Sequence, residues 1–561
     1  MDERERLEPY YFHEKGFETL AEAEEYFEWE VPDSFNIAEY VCDRWADDGD
    51  RTALYVGGDG GGTRSYSFAD LRDEANRFAN FLADRGVGVG DRIAVNGTQR
   101  LESLVAHLAA FKLGAVSVPL SVLLGSEGLR YRLDDSEACA FVVDRAAAET
   151  LAAVREDLDD LDLVVTNDDF ARGDQVAFCD AVDGRSDRFE TLETDAEDPS
   201  CVIYTSGTTG QPKGAVHAHR HVLGELPQFV SLQGHRTGAG EVTRTISEWS
   251  WIMSLNGVVL PALFYGGAVA ACPAGKFDPE REFGLVETFG VTHLNLPPTA
   301  VRMMMAVDSP AERWDLSSVH TFITGGESAG ERIIQWVADV FDDAAFIEGY
   351  GSTEIGGLIS DDPAYGVDHR IGYLGVPSLG HEVAVVDPET MEPIEEPDVI
   401  GELVVRFEGD PMLFVEYLDE PEKTAEKIQN GWLRSEDLVS VDEDGYVKFH
   451  ARDDDLIISS GYRFGPDEIE EALVAHEAVS DAGVIGVPHE TRGEIPKAYV
   501  VLHDGYEASD DLRADLQAFV KGRLAKYEYP REIEFVRSLP TTSTGKVQRA
   551  TLRERDDDGE T

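Results

Sequence analysis

The densest chemistry in the chain lies in one continuous stretch, Tyr204-Thr205-Ser206-Gly207-Thr208-Thr209-Gly210-Gln211-Pro212-Lys213-Gly214. Its hydroxyls, glycines and single lysine suit a polyphosphate. Glycines let successive backbone N–H groups converge on an anion, hydroxyls add donors, and a lysine brings a mobile positive charge. The spacing is not that of the common nucleotide P-loop, G-x-x-x-x-G-K-[ST], because Pro212 precedes the lysine and Gly214 follows it. A flexible polar surface loop has the same composition. What precedes the loop is more specific: Cys201-Val202-Ile203-Tyr204 is an apolar, β-branched run that predicts a buried strand from which the chain leaves the sheet.

The string Y-T-S-G-T-T-G-x-P-K-G resembles the phosphate loop of the acyl-adenylate-forming enzymes, which include acyl-CoA synthetases, peptide-synthetase adenylation domains and luciferases. The resemblance implies that Thr205, Ser206, Gly207, Thr208, Thr209, Gly210 and Lys213 hold ATP phosphates. Thr321-Phe322-Ile323-Thr324-Gly325-Gly326-Glu327 resembles the family's strand leading into G-G-E, whose backbone lies along adenine. Glu348-Gly349-Tyr350-Gly351-Ser352-Thr353-Glu354 matches Y-G-x-T-E, which places a tyrosine against adenine, a threonine on the α-phosphate and a glutamate on Mg²⁺. The chemistry needs such a set. A carboxylate attacking an ATP phosphate is an anion meeting an anion, so a metal and hydrogen-bond donors must neutralise the developing charge.

Further stations follow in the family's order. Gly431-Trp432-Leu433-Arg434-Ser435-Glu436-Asp437 resembles G-W-x-x-[ST]-[GE]-D, with Asp437 implied to accept from both ribose hydroxyls. Ala451-Arg452-Asp453-Asp454-Asp455 resembles the junction R-x-D-D, with Arg452 on the nucleotide and Asp454 as hinge, although Ala451 replaces the usual glycine. Ser460-Gly461-Tyr462-Arg463-Phe464 resembles S-G-x-[RK]: Gly461 leaves room for the pantetheine thiol and Arg463 serves one conformation. Pro540-Thr541-Thr542-Ser543-Thr544-Gly545-Lys546 resembles the tail whose lysine enters the site for adenylation, a task suited to a compact, mobile charge. Within Ser247-Glu248-Trp249-Ser250-Trp251, Trp251 aligns with the aromatic residue bordering the acyl pocket, while Trp249 reads equally well as core. Acetate-specific relatives carry tryptophan where this chain has Gly351, which implies a pocket open to longer chains. An apolar slot discriminates by only about 1–3 kcal/mol per methylene, so a range of acids is expected.

The elements that must position these residues are legible in the pattern. Tyr66-Ser67-Phe68-Ala69-Asp70-Leu71 starts a helix with Ser67 as N-cap, and Leu71, Ala75, Phe78, Ala79 and Leu82 share a face. Arg92-Ile93-Ala94-Val95 reads as a strand, 104–114 as a helix and 115–118 as the next strand. Gly57 to Gly62 reads as a turn between short strands. Phe35 to Trp45 predicts an amphipathic helix, and its F-N-x-A…D-R-W pattern resembles medium-chain acyl-CoA synthetases. Strands alternating with helices imply parallel, doubly wound sheets. The fold expected is α/β: a large N-terminal domain of doubly wound subdomains with a small barrel, residues 1–453, and a small mobile α/β C-terminal domain, residues 454–561. In the latter, helices are expected over 466–476 and 510–524, and strands over 481–487 and 497–502.

Composition narrows the function class. The formal net charge is −62, from 110 acidic and 48 basic residues spread along the chain. Such a surface repels nucleic acid and anionic membranes, and it suggests adaptation to high salt, where screening removes self-repulsion. Cys42, Cys139, Cys179, Cys201 and Cys272 are widely spaced, without C-x-x-C, and read as small core residues of a reducing cytoplasm. The start of the chain is unlike a signal peptide. The apolar stretch 104–124 is interrupted by His107, Lys112, Gly114 and Pro119, so it reads as a buried helix and strand. His217 and His221, with no nearby carboxylate, do not read as a metal site, and Asp442-Glu443-Asp444-Gly445 reads as a hairpin turn rather than a calcium loop.

The expectation is therefore an AMP-forming acyl-CoA synthetase of the cytoplasm. It would use ATP, Mg²⁺ and CoA to activate a short- to medium-chain carboxylic acid through an acyl-adenylate. Its partners would be small molecules, with no nucleic acid and no membrane insertion, and a homodimer is a possible assembly. The chain ends soon after Lys546 with no carrier module, which favours free CoA as acceptor. Two alternatives carry different chemistry. One is an aryl or amino acid adenylating enzyme that loads a separate carrier protein; the other is a decayed nucleotide-binding protein, against which intact Lys213, Thr353, Glu354, Asp437, Arg452 and Lys546 argue.

Overall fold

The computed structural model describes residues 7–58, 62–167, 170–205, 211–273, 277–326, 329–342, 344–452, 455, 457–459, 462–489, 493–503, 505–524, 529–541 and 547–558. It divides into two compact units. The first comprises Met1–Arg370, Gly375–Glu382 and Arg406–Leu433, and the second Ile371–Leu374, Val383–Val405 and Arg434–Thr561.

The first unit holds two large sheets. One runs in the order Glu416–Tyr417, Lys213–Ala218, Pro199–Thr205, Val116–Leu120, Arg92–Asn96, Ala140–Val143, Leu163–Thr166, Val176–Ala177. Its centre is parallel, and the edge carrying Lys213–Ala218 is antiparallel on both sides. The other runs Val376–Pro377, Gly356–Ser360, Ala345–Ser352, Thr321–Gly325, His293–Asn295, Val242–Thr245, Ala268–Ala271, Thr52–Gly57, Thr63–Ser67. This is the doubly wound α/β arrangement the alternation predicts, with antiparallel hairpins added at the edges.

Local sequence explains the elements that matter. Helix Phe68–Asp84 begins at Ser67, whose hydroxyl accepts from the Asp70 N–H while Asp70 accepts back from the Ser67 N–H, a reciprocal capping box. Helix Leu101–Leu113 is apolar all round and buried. Its polar interruptions are paired: His107 Nδ1 lies 2.7 Å from Ser117 Oγ, and burial drops this imidazole to about 3. Lys112, 1% exposed, forms an ion pair with Asp43, its ammonium donating 2.6 Å to Oδ1. No helix among the described residues is long and apolar enough to cross a membrane.

Two readings are corrected. Phe35 to Trp45 is not one helix: Ile37–Val41 is helical, Cys42 breaks the run at φ −136°, and Asp43–Trp45 forms a 3₁₀ turn. The break lets Asp43 reach Lys112 and lets the Trp45 indole donate to the Phe264 carbonyl at 3.2 Å. The cysteines are not uniformly core: Cys42, Cys201 and Cys272 are buried, Cys139 is half-buried and Cys179 is exposed.

The second unit contains a sheet in which Val383–Val386 pairs with Gly401–Arg406, and Trp432–Val441 pairs with Val447–Arg452. The hairpin between the last two turns at Asp442, whose carboxylate accepts from the N–H groups of Asp444 and Tyr446 at 3.0 and 2.9 Å. A second sheet joins Tyr462–Phe464, Ile457–Ser459, Gly493–Leu502, Val479–His489 and Glu532–Phe535. Helices Asp467–Val474 and Asp510–Lys521 pack on it through Ile469, Leu473, Leu516 and Val520.

Candidate active site

In the first unit the phosphate-loop strand and its return are held in register, so that Thr205 faces Lys213 at the base of the loop. The Tyr131 hydroxyl donates to the Pro212 carbonyl at 3.0 Å, and Tyr204 donates to Asp135 at 2.7 Å, which pins both legs. Ser206, Gly207, Thr208, Thr209 and Gly210 lie outside the described residues, as do Glu327, Asp454, Gly461 and Lys546.

Strands Thr321–Gly325 and Ala345–Ser352 run parallel with Gly325 opposite Gly349, and Gly326 follows directly, so two of the expected stations lie at the same end of neighbouring strands. Ala345–Ser352 then turns into Gly356–Ser360, with Ser352 opposite Gly356. Thr353, Glu354 and Ile355 are therefore the tip of a three-residue hairpin, and Gly356 closes it at φ +72°, where a Cβ would sit 2.6 Å from Glu225 Oε1. A register shift falls between Tyr350 and Gly351. A Cβ on Gly351 would collide with the Gly356 carbonyl oxygen and lie 2.9 Å from its carbon, so a side chain here requires the hairpin to shift. Gln228, buried on helix His221–Leu232, spans this bulge and donates to the carbonyls of Tyr350 and Ile359 at 3.1 and 2.8 Å.

Glu354 is half-buried at the hairpin tip. Its carbonyl accepts from the Phe414 N–H at 3.0 Å, and its Oε1 accepts from the Tyr417 hydroxyl at 2.6 Å. Ser352 Oγ is 3.5 Å from the other oxygen. Lys213 Nζ lies 4.4 Å from the centre of the Tyr417 ring. The Lys213 ammonium and an acidic side chain thus meet around one tyrosine. The carboxylate fits Mg²⁺ carried on a nucleotide, which commonly takes one or two carboxylates plus phosphate oxygens and waters. Among the described residues no group of three or more His, Cys, Asp or Glu side chains is placed to hold a metal alone.

Trp251 is half-buried and precedes the short helix Ile252–Ser254, while Trp249 is fully buried. The chain continues through a π-helical turn, Leu255–Val259, packed against helix His221–Leu232. Glu248 is held by the Ser250 hydroxyl at 3.1 Å, and burial raises its carboxyl above the ordinary range. His217 lies on strand Lys213–Ala218 and His221 opens helix His221–Leu232, and their Nδ1 atoms lie 3.2 Å apart. A carboxylate is nearby after all, since Glu225 Oε1 is 3.0 Å from His221 Nε2.

In the second unit Asp437 and Arg452 are paired in register, with Arg452 Nη1 4.0 Å from Asp437 Oδ1. Arg452 also donates to Glu436 at 3.1 Å. The approach to Asp437 is set by Glu402, which is fully buried: it accepts from Arg434 Nε at 2.9 Å and from the Glu436 N–H at 3.0 Å. Arg463 pairs through its backbone with Ile458, and its side chain lies outside the described set. The base of the tail is described on both sides: Thr541 bridges Val547, and the Gln548 N–H donates to the Pro540 carbonyl at 2.8 Å. Arg549 then donates to Asp455, Asp467 and Glu470, and Arg553 donates to Asp455 at 2.5 Å.

Sequence reasoning missed Tyr417, Glu402 and Gln228. None sits in a glycine-rich or hydroxyl-rich stretch, so only the fold brings them to the site.

Known proteins share both halves of this arrangement. The AMP-binding enzyme family matches residues 42–418, and the AMP-binding enzyme C-terminal domain matches residues 468–546. The chain is 33% identical over 540 residues to the uncharacterized acyl–CoA ligase YtcI of Bacillus subtilis, covering 94% of this chain and 97% of that one. It is 33% identical over 530 residues to acetyl-coenzyme A synthetase of the same organism, covering 92% and 90%. ATP-bound MatB from Rhodopseudomonas palustris has the same fold, with TM-score 0.81 and 30% identity over 94% of this chain and 99% of that one. The anthranilate CoA ligase AuaEII with anthranoyl-AMP gives TM-score 0.86 at 26% identity, covering 94% and 98%. The chain belongs to the AMP-binding enzyme family, as an AMP-forming acid–CoA ligase that uses ATP, Mg²⁺ and CoA.

Proposed function

We propose that this ligase activates a range of short- to medium-chain carboxylic acids in a salt-rich cytoplasm. The convergence of Lys213 and Glu354 on Tyr417 carries the assignment of the phosphate side of the site, because it sets a fixed cation beside a fixed carboxylate. Mg²⁺ held by Glu354 would neutralise phosphate charge during attack. Thr205, the loop residues Ser206 to Gly210, and Lys213 take the β- and γ-phosphates, and Thr353 takes the α-phosphate. Gly325, Gly326, Glu327, Gly349, Tyr350 and Ser352 border adenine. Asp437 accepts from the ribose, and Arg452 exchanges its bond with Glu436 for one to the nucleotide. Lys546 supports formation of acyl-AMP, with release of pyrophosphate. Rotation about Asp454 then withdraws Lys546 and brings up Gly461 and Arg463, and the CoA thiol displaces AMP. We assign residues 454–561 as the moving domain. Trp251 borders the acyl chain, and no side chain projects from Gly351 to shorten the slot.

The test is CoA-dependent release of AMP and pyrophosphate across straight-chain, branched and aromatic acids in molar KCl with Mg²⁺. Turnover on short- to medium-chain acids with acetate poor is the expected result. Acid-dependent AMP formation indifferent to CoA would assign the chain to carrier loading instead.

A further inference from the structure

Tyr417 belongs to no station recognised in the sequence, yet it touches two of them. The side chain is 1% exposed. It sits on the edge strand Glu416–Tyr417, opposite Ala215 and so two residues beyond Lys213 on the neighbouring strand. Its position is over-determined. The backbone N–H donates to Thr424 Oγ1 at 2.9 Å, the Phe414 ring packs on it with centroids 4.9 Å apart, and Lys213 Nζ lies 4.4 Å from the ring centre. A phenol held this firmly fixes whatever its hydroxyl binds, and that is Glu354 Oε1 at 2.6 Å.

We propose that Tyr417 is the positioning residue of the metal–nucleotide site. Its hydroxyl occupies one carboxylate oxygen of Glu354 and turns the other toward the cation that ATP brings. The proposal rests on the assignment of Glu354 as metal ligand. Partners that orient a ligating carboxylate set its geometry, and their loss typically costs 10–100-fold in metal affinity or activity. Because the same ring lies under Lys213, the cation and the carboxylate that face the nucleotide keep a fixed separation.

Tyr417→Phe removes the hydroxyl and leaves the ring contacts with Phe414 and Lys213. Binding of Mn²⁺–ATP, followed by the electron paramagnetic resonance of free Mn²⁺, should weaken about tenfold or more. Binding of ATP in EDTA should be unchanged, as should thioester formation from supplied acyl-AMP, which needs no phosphate metal. In a Glu354→Gln background Tyr417→Phe should have no further effect on Mn²⁺–ATP. Unchanged Mn²⁺–ATP affinity in Tyr417→Phe, with a clear loss in Glu354→Gln, would overturn the role of Tyr417 alone. No loss in Glu354→Gln would overturn the metal-ligand assignment beneath it. Equal losses with and without metal would make Tyr417 a general support of the site and also sink the proposal. Wild-type protein with ¹³C-labelled tyrosine rings gives a readout independent of any variant: Mn²⁺–ATP must broaden the Tyr417 signal.

Discussion

At the scale of single residues, the clearest tension lies at Glu436. It holds φ +64°, a left-handed conformation that costs a non-glycine residue about 1–2 kcal/mol. The strain persists because both ends of the residue are tied, the N–H to Glu402 and the carboxylate to Arg452. The matching family motif accepts glycine or glutamate at this position, and the backbone angle supplies the reason. Glu436→Gly removes the strain and forfeits a partly exposed ion pair worth about 0–1 kcal/mol. Glycine's greater loss of backbone freedom on folding takes back about 0.5–1 kcal/mol, so stability from urea unfolding should stay within about 1 kcal/mol of the parent or rise by that much. A clear loss would show that the ion pair, and not the backbone, governs this turn. Tyr417 and Glu402, which hold Glu354 and the turn before Asp437, were not legible as such. Glu354 and Tyr417 are 63 positions apart, and Glu402 stands 34 before Glu436. Nothing in local composition links them.

At the scale of elements, the hairpin from Ala345–Ser352 to Gly356–Ser360 decides what substitutions the acyl side tolerates. Reading Gly351 as a deleted indole treats it as an empty space. In the hairpin its Cβ direction also points into the Gly356 carbonyl, so a side chain there must shift the hairpin as well as shorten the slot. Gly351→Ala should lower the melting temperature and depress turnover on every acid alike, since a side chain there must open the hairpin that presents Thr353 and Glu354. If the variant folds normally and only shifts preference toward acetate, the hairpin can yield and the open slot alone accounts for the glycine. The strands and helices around this hairpin were legible because apolar period and capping agree with the fold, as at Ser67 and Cys201–Tyr204. The segment 35–45 was not, because its periodicity says nothing of Lys112, which draws Asp43 aside. The phosphate, adenine and ribose stations were legible as strings, but their spacing was not; the register of Gly325 on Gly349 and of Asp437 on Arg452 supplies it.

At the scale of the whole molecule, the formal charge of −62 dominates. Self-repulsion on this scale falls as counter-ions screen it, with a Debye length of about 10 Å at 0.1 M and about 3 Å at 1 M. The melting temperature should therefore climb from 0.1 M to 1 M KCl and continue upward beyond, as differential scanning fluorimetry would read. A flat profile would mean that the acidic residues are already neutralised by their neighbours. Near the proposed pivot the acidic charge is locally balanced, with Arg549 and Arg553 both donating to Asp455. On the proposed rotation, the base of the lysine-bearing loop, tied through Arg549 and Arg553 to Asp455, would turn together with the pivot, and the timing of the two half-reactions would reduce to the torsion of a few bonds.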